Sequence, residues 1–374
     1  MRILVCCTHA VSHVFPTVSL AWALRAAGHE VAYAAAQDGL IARSAGFPVV
    51  DVLPHLTMAE LFGKFAQERP DLMREIEKGI PDLKGAVPGF AYLCSQLTDG
   101  TVAAAEAFRP DLILHSEMNG AALIAAAKLG VPAVEQGFGF ADATGIPELL
   151  AEHMADAADR HGVTGLPERR ATIEVTPPSM AAGSDGWTMR CVPYNGGGVL
   201  PEWLTRRPER PRIGVTFGTV SSLTNGLGPL QQVIEAAPEF DAEFVCALTE
   251  AEIEGLGTLP DNVRTASWLP LNALLDTCTA ALHHGGAAST LTALHTGLPQ
   301  VALPGGGYRS IYANAMARRG VGLVSPSSGL DTALIGRLLT DRSLYEAADE
   351  VRAEIAAMPS PAELVPRLVD LAGA

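Results

Sequence analysis

The run His283-His284-Gly285-Gly286-Ala287-Ala288-Ser289 joins two imidazoles to a pair of glycines and then to a stretch of small residues. It follows a short apolar strand, Ala280–Leu282, and leads into a helix that begins near Ala287 and is closed by Gly297. The glycines let the backbone come close to a ligand, and the helix start offers unpaired N–H groups and the positive end of its dipole. That combination binds phosphate, and a diphosphate held there has a histidine donor beside it. The same run also fits a buried β-to-α turn whose histidines are merely hydrogen-bonded, and spacing alone does not separate the two.

A loop of this kind needs a sheet behind it. Arg2–Cys7 is a continuous apolar run of the type buried on both faces of a parallel sheet, and Pro16–Ala27 reads as its helix, with Val18, Leu20, Ala21 and Leu24 at helical spacing and Gly28 as C-cap. Strand Glu30–Ala34 completes a βαβ unit, which strand Asp111–His115, helix Gly120–Leu129 and strand Ala133–Glu135 repeat. The pattern restarts at Arg212–Phe217 and continues through Glu243–Leu248, Ala280–His283, helix Ala287–His295 and Gln300–Leu303. Leu129-Gly130-Val131-Pro132 and Thr296-Gly297-Leu298-Pro299 close a helix and open a strand in the same way. The prolines of Pro201–Pro211 mark a linker between the halves. These signals predict an α/β chain of two Rossmann-like domains facing a cleft, with ligands beyond the carboxyl ends of the strands. The expected bounds are 1–198, a linker over 199–211, and 212–374, the last helix packing back on the N-terminal domain. Leu53–Gly100 reads as irregular, with Met58, Leu61, Phe62, Phe65, Phe90 and Tyr92 available to line an apolar pocket.

Composition narrows the function. A chain of 374 residues exceeds what one core usually supports, and 48% hydrophobic with 18% charged residues is an ordinary globular balance. A formal net charge of −15 argues against nucleic acid or an anionic membrane as partner. No stretch approaches the roughly 18–20 apolar residues of a membrane span. The N-terminus reads as a first strand and not a signal peptide. Cys6, Cys7, Cys94, Cys191, Cys246 and Cys278 form no C-x-x-C pair and no metal-ligand spacing with histidine, as expected of core residues in a reducing cytoplasm. No zinc, calcium or iron motif is present, and no metal or cofactor is expected. A dinucleotide oxidoreductase is disfavoured because Thr8–His13 has no Gly-x-Gly-x-x-Gly.

Six motifs in order carry a family resemblance: His13-Val14-Phe15-Pro16, Pro110-Asp111-Leu112-Ile113-Leu114-His115, Val192-Pro193-Tyr194-Asn195-Gly196, Thr216-Phe217-Gly218-Thr219, Trp268-Leu269-Pro270 and His283-His284-Gly285-Gly286. On them the chain resembles, over its whole length, the GT-B nucleotide-sugar-dependent glycosyltransferases that attach deoxysugars to bacterial polyketides and other natural products. The resemblance implies an inverting transfer from a nucleotide-sugar, dTDP-linked, to a hydrophobic small-molecule aglycone. It makes His13 the base that deprotonates the acceptor hydroxyl, with His9 in reserve. Relatives orient this histidine with an acid after the Pro-Asp-Leu strand; here Ser116 stands in the acid's place and Glu117 follows it. Three alternatives stay open: Glu117 turns inward as a dyad partner, Ser116 and water orient the ring while Glu117 is a solvated loop charge, or no carboxylate takes part.

On the donor side the resemblance makes His284 the diphosphate ligand, with Gly285, Gly286, Ala287, Ala288 and Ser289 forming the helix start. Ala288 stands where relatives often have glycine. Trp268 stacks on the nucleobase, Leu269 reads the base edge through its backbone, and Thr219 and Ser221 donate to the β-phosphate. Ser310 and Ile311 occupy the place of an Asp-Gln pair that relatives use for sugar hydroxyls, which suits a deoxygenated sugar; neighbouring Arg309 is placed to meet the diphosphate. C-glycosylation, nucleotide-sugar epimerisation and a catalytically silent nucleotide-binding subunit are the rival readings. A homodimer and an auxiliary activator protein remain open as partners.

Overall fold

The computed structural model describes residues 1–78, 80–138, 140–183, 185–218, 228–305 and 309–373. The chain divides into two compact units. The first holds Met1–Thr176, Ala181–Arg190 and Met358–Ala374; the second holds Pro177–Met180 and Cys191–Ala357.

The first unit is built on strands β1 (Arg2–Cys6), β2 (Glu30–Ala35), β3 (Val49–Asp51), β4 (Leu112–Ser116), β5 (Ala133–Gly137), β6 (Arg170–Glu174) and β7 (Trp187–Thr188). Their order is β3-β2-β1-β4-β5-β6-β7 and all the pairs are parallel. The residues explain the choice: Ile3, Leu4, Val5, Leu112, Ile113 and Leu114 are fully buried, as strands covered by helices on both faces must be. Strand order reverses between β1 and β4, where Cys6 lies opposite His115. Such a switch point opens a crevice at the carboxyl ends of the strands.

The second unit repeats the design with β8 (Arg212–Thr216), β9 (Glu243–Leu248), β10 (Val263–Ser267), β11 (Ala280–His283), β12 (Gln300–Ala302) and β13 (Gly322–Val324), ordered β10-β9-β8-β11-β12-β13 and again parallel. Val215, Phe244, Leu282 and Val301 form its fully buried centre. Its switch point lies between β8 and β11, with His283 opposite Thr216. The two-domain α/β reading thus matches the architecture.

Two stretches differ from expectation. The first helix runs Val11–Ala26, five residues ahead of Pro16, so His13 lies in its first turn rather than in a loop. Pro16 is tolerated inside because it withholds only one helix hydrogen bond, and its own carbonyl accepts from Gln136 Nε2 at 2.6 Å. The span read as irregular is helical over Met58–Glu68, Pro70–Lys78 and Leu83–Phe108. Caps start these helices: Thr57 and Glu60 form a reciprocal capping box, and Asp82 accepts from Gly85 N at 2.9 Å. Pro70 and Pro88 blur the apolar periodicity that would have announced them.

The helix Pro361–Gly373 belongs to the first unit, where Arg169 Nη1 donates to Leu371 O at 3.0 Å. Cys191–Gly198 belongs to the second, tied by Asn272 N donating to Asn195 Oδ1 at 3.0 Å. Among the described residues no helix is long and apolar enough to cross a membrane.

Candidate active site

In the second unit the two adjacent histidines part company. Gly285 N donates to His283 Nδ1 at 3.0 Å, so the ring proton sits on Nε2, which donates to Gln300 Oε1 at 2.7 Å. His283 is a fully satisfied core residue, pushed down to about 4 by burial. His284 meets the backbone of Thr216, but its buried Nδ1 lacks a hydrogen-bond partner. Its ring lies between two glycines: a Cβ on Gly286 would stand 2.4 Å from Nε2, and one on Gly218 would stand 2.8 Å from Cε1. Glycine is required at both positions, doubly so at Gly218 with its φ of +73°. Burial, then the positive charge of Arg309, pushes His284 down to about 3, so its imidazole is neutral.

The helix Ala287–Thr296 starts directly after this ring, and no side chain caps it. The N–H groups of Ala287, Ala288 and Ser289 therefore face the loop mouth without a side-chain acceptor. Gly285, at φ +81°, backs onto Arg309 O (3.4 Å) and the Ala313 Cβ (3.5 Å) from its missing Cβ. That contact seats the first turn of helix Arg309–Arg319, with Ser310 and Ile311, against the same loop.

Trp268 stands apart, at the end of β10. Three strand spacings separate β10 from β11, roughly 14 Å. Its backbone is in the left-handed region (φ +35°), the residue is 46% exposed, and Gly196 packs on it with a missing Cβ 3.2 Å from the ring. Leu269 packs with Leu204, Val245 and Leu274. Thr219 and Ser221 lie outside the described residues.

In the first unit His13 is 6% exposed, its ring 5.8 Å from Phe90 and 6.3 Å, edge-on, from Phe138. Burial, then neighbouring His9, pushes it down to about 3. His9 meets Phe62 edge-on at 6.0 Å and is pushed down to about 4 by burial. Leu61 and Phe65 are buried, and Phe65 stacks on Tyr92 at 4.9 Å. Thr8 Oγ1, His9 Nδ1, His13 Nδ1 and Ser116 Oγ are all buried without a hydrogen-bond partner. Each such group costs about 1–3 kcal/mol unless something binds it. All four lie at or just beyond the carboxyl ends of β1 and β4, with Phe62 packed on His9 and Phe90 and Phe138 packed on His13.

Glu117 is not a solvated loop charge. It is 6% exposed, and its Oε1 accepts from Phe138 N at 3.2 Å. Burial pushes it up to about 7, with nearby Glu174 adding to the rise. Glu135 accepts from Met118 N at 3.3 Å and is pushed up to about 8 by burial and by Glu117. Around the missing Cβ of Gly137 lie Glu117 Oε1 (3.6 Å), Glu174 Oε2 (3.6 Å) and Glu135 Oε1 (3.8 Å). Sequence reading missed Glu135, Glu174 and Phe138; the available signal was a glutamate near the carboxyl end of each of three adjacent strands. Among the described residues no group of three or more His, Cys, Asp or Glu side chains could hold a metal ion.

Comparison with known proteins bears on both units. The N-terminal domain of erythromycin biosynthesis protein CIII-like proteins matches residues 22–218, and their C-terminal domain matches 231–371. Elloramycin glycosyltransferase ElmGT of Streptomyces olivaceus is 39% identical, covering 98% of this chain and 97% of its own. The solved glycosyltransferase SnogD from Streptomyces nogalater superposes with a TM-score of 0.86 at 38% identity, over 100% of this chain and 99% of its own. SsfS6 of Streptomyces sp. SF2575, solved with thymidine diphosphate, gives 0.82 at 32% identity, over 99% of both chains. The two parallel sheets are therefore those of a GT-B glycosyltransferase, an enzyme of natural-product biosynthesis that transfers a sugar to an aglycone. Within that class the chain belongs to the erythromycin biosynthesis protein CIII-like family.

Proposed function

We propose that the enzyme takes a deoxysugar from a dTDP-sugar and attaches it, with inversion, to a hydroxyl of a hydrophobic aglycone. The observation that carries this reading is the loop of the second unit. There a neutral histidine with an unpartnered Nδ1 stands at the foot of an uncapped helix, at the switch point of a parallel sheet. Phosphate groups find both amide donors and the dipole's positive end at such a place. The thymidine diphosphate bound by SsfS6 supports thymidine as the nucleoside, and Trp268, a half-exposed residue, supplies a ring for it.

In the reaction His13 takes the proton of the acceptor hydroxyl while the oxygen bonds to the anomeric carbon and the bond from that carbon to the diphosphate oxygen breaks. Burial keeps the His13 imidazole neutral, so a ring nitrogen is available to take that proton. His284 and the amides of Ala287, Ala288 and Ser289 take up the charge that develops on the leaving diphosphate. Ser310 and Ile311, which offer sugar hydroxyls less than an Asp-Gln pair does, fit a deoxygenated sugar. The six cysteines are free, as suits a cytoplasmic enzyme.

Calorimetric titration with dTDP and UDP, on wild type and His284→Ala and with NAD as control, tests the donor half. Tight dTDP binding lost in the variant supports the reading and opens a screen of dTDP-sugars against aromatic and macrolide aglycones. Binding of neither diphosphate, or preference for NAD, removes it; binding without turnover across the screen makes the chain a silent subunit.

A further inference from the structure

We infer that Glu117 is a positioning residue for His13 and acts through Phe138, not by touching the imidazole. The inference rests on the role proposed for His13.

The turn after β4 fixes where the Glu117 side chain goes. Met118 adopts a left-handed backbone (φ +59°) that a non-glycine residue enters only when held there, and Glu135 holds it through its N–H. On the far side Asn119 Nδ2 donates to Cys6 O at 3.1 Å, and its Oδ1 accepts from Ala122 N at 3.2 Å. Pinned at both ends, the turn directs Glu117 over Gly137, where the lack of a side chain leaves room for three carboxyls. The next residue, Phe138, is then clamped through both backbone groups: its N–H donates to Glu117 and its carbonyl accepts from Thr176 Oγ1.

What the clamp controls is the face that Phe138 presents to His13. The His13 Nδ1 has no hydrogen-bond partner, so packing between Phe138 and Phe90 orients the ring. A tilted ring and an edge-on ring are weak restraints singly. They work only if Phe138 itself cannot move. Glu117, Glu135 and Glu174 face one another with His115 on the adjoining strand, and the raised values of Glu117 and Glu135 mean that this cluster holds protons near neutral pH. A carboxylate dyad would require a charged Glu117, whereas a clamp requires only an acceptor oxygen.

Glutamine keeps an acceptor oxygen in the same volume, so Glu117→Gln and Glu117→Ala separate the two roles. Two readouts are compared: kcat with a donor and acceptor pair from the screen above, and histidine ¹⁵N resonances of the free enzyme, with His13 assigned by its loss in His13→Gln. The expected result is that E117Q keeps kcat within about threefold of wild type with an unmoved His13 signal, while E117A loses 30-fold or more in kcat, leaves donor KM unchanged and shifts or broadens that signal. Phe138→Leu, which keeps the clamped N–H but removes the ring edge, gives the E117A phenotype, and the double variant is no worse than either alone; it carries the test if E117A fails to fold. E117Q as damaging as E117A overturns the inference in favour of a charge role, and an unmoved His13 signal in both E117A and F138L overturns it outright. The resonance experiment needs no substrate, so failure of the proposed function appears separately, as absence of transfer by wild type.

Discussion

The two units build a histidine site at the same place, the switch point of a parallel sheet, from opposite materials. In the second unit the site is backbone: glycines 218 and 286 make space for one ring, and a bare helix start supplies the donors. In the first it is side chains: three phenylalanines, two histidines, a serine and a buried carboxyl cluster, contributed by strands and helices far apart in the chain. Backbone donors suit a ligand group that never changes, such as a diphosphate. Side chains suit one whose shape must be chosen, such as an aglycone.

The sharpest way to break this comparison is to remove the histidine from each. His13→Ala should lower the transfer rate by about 10²–10⁴-fold, the usual worth of a general base, and leave dTDP affinity within twofold. His284→Ala should abolish transfer and dTDP binding together. Calorimetry and turnover on both variants settle it: loss of dTDP binding in His13→Ala would mean that the division of labour is wrong.

A smaller effect tests whether the second site is made of backbone. Gly286→Ala puts a Cβ 2.4 Å from His284 Nε2, and Gly218→Ala puts one 2.8 Å from Cε1, so the ring must turn away in either. We expect dTDP affinity to fall about tenfold in each, with an additional stability loss of about 1–2 kcal/mol for Gly218→Ala from its left-handed backbone. Unchanged dTDP affinity in both would show that the orientation of His284 is unimportant.

The units should also differ in how pH acts on them. His9, His13, His283 and His284 are all pushed below the usual 6.5, to about 3 or 4, so the unfolded chain takes up protons first and stability falls as pH drops from about 6.5. Glu117 and Glu135 run the other way. Raised from 4.5 to about 7 and 8, they bind protons more tightly when folded, so their contribution is whole below about pH 4.5 and is lost as pH rises through 7 and 8. The first unit carries both liabilities. Glu117→Gln should therefore stabilise at pH 8.5 by on the order of 1–3 kcal/mol and have little effect at pH 4.5. Urea unfolding of wild type and variant at the two pH values checks the sign; equal effects at both would mean that folding does not raise the Glu117 pKa.

What was readable in the sequence follows the same division. Strands Glu243–Leu248 and Ala280–His283 and helix Gly120–Leu129 were legible to the residue, because apolar runs between glycine and proline stops are local signals. The strand, loop and helix start around His284 were legible because they are consecutive, whereas the packing of Gly218 on the ring was not. Glu117 was legible from its place after β4, but its grouping with Glu135 and Glu174 was not, since only the pairing of β4, β5 and β6 brings three distant glutamates to one glycine. Nor was the difference between His283 and His284, which depends on Gln300 lying beside β11. The edge strand β10 escaped notice because, of its five residues, only Val263 is buried.

That edge strand ends at Trp268, where the smallest predicted effect lies. The residue is nearly half exposed and its ring rests on Gly196, so little core is lost with it, yet it keeps a left-handed backbone that only three other non-glycine residues share among the described ones. The role proposed for Trp268 is that of a platform for the base, which its exposure and left-handed backbone fit. Trp268→Ala should leave the melting temperature within a few degrees and weaken dTDP by about 1–3 kcal/mol, the scale of one base–aromatic stack. Inorganic pyrophosphate, which has no base to stack, should bind wild type and variant alike. If pyrophosphate weakens as much as dTDP, then Trp268 shapes the phosphate loop rather than a base platform, and the second unit's site is less purely backbone than its glycines indicate.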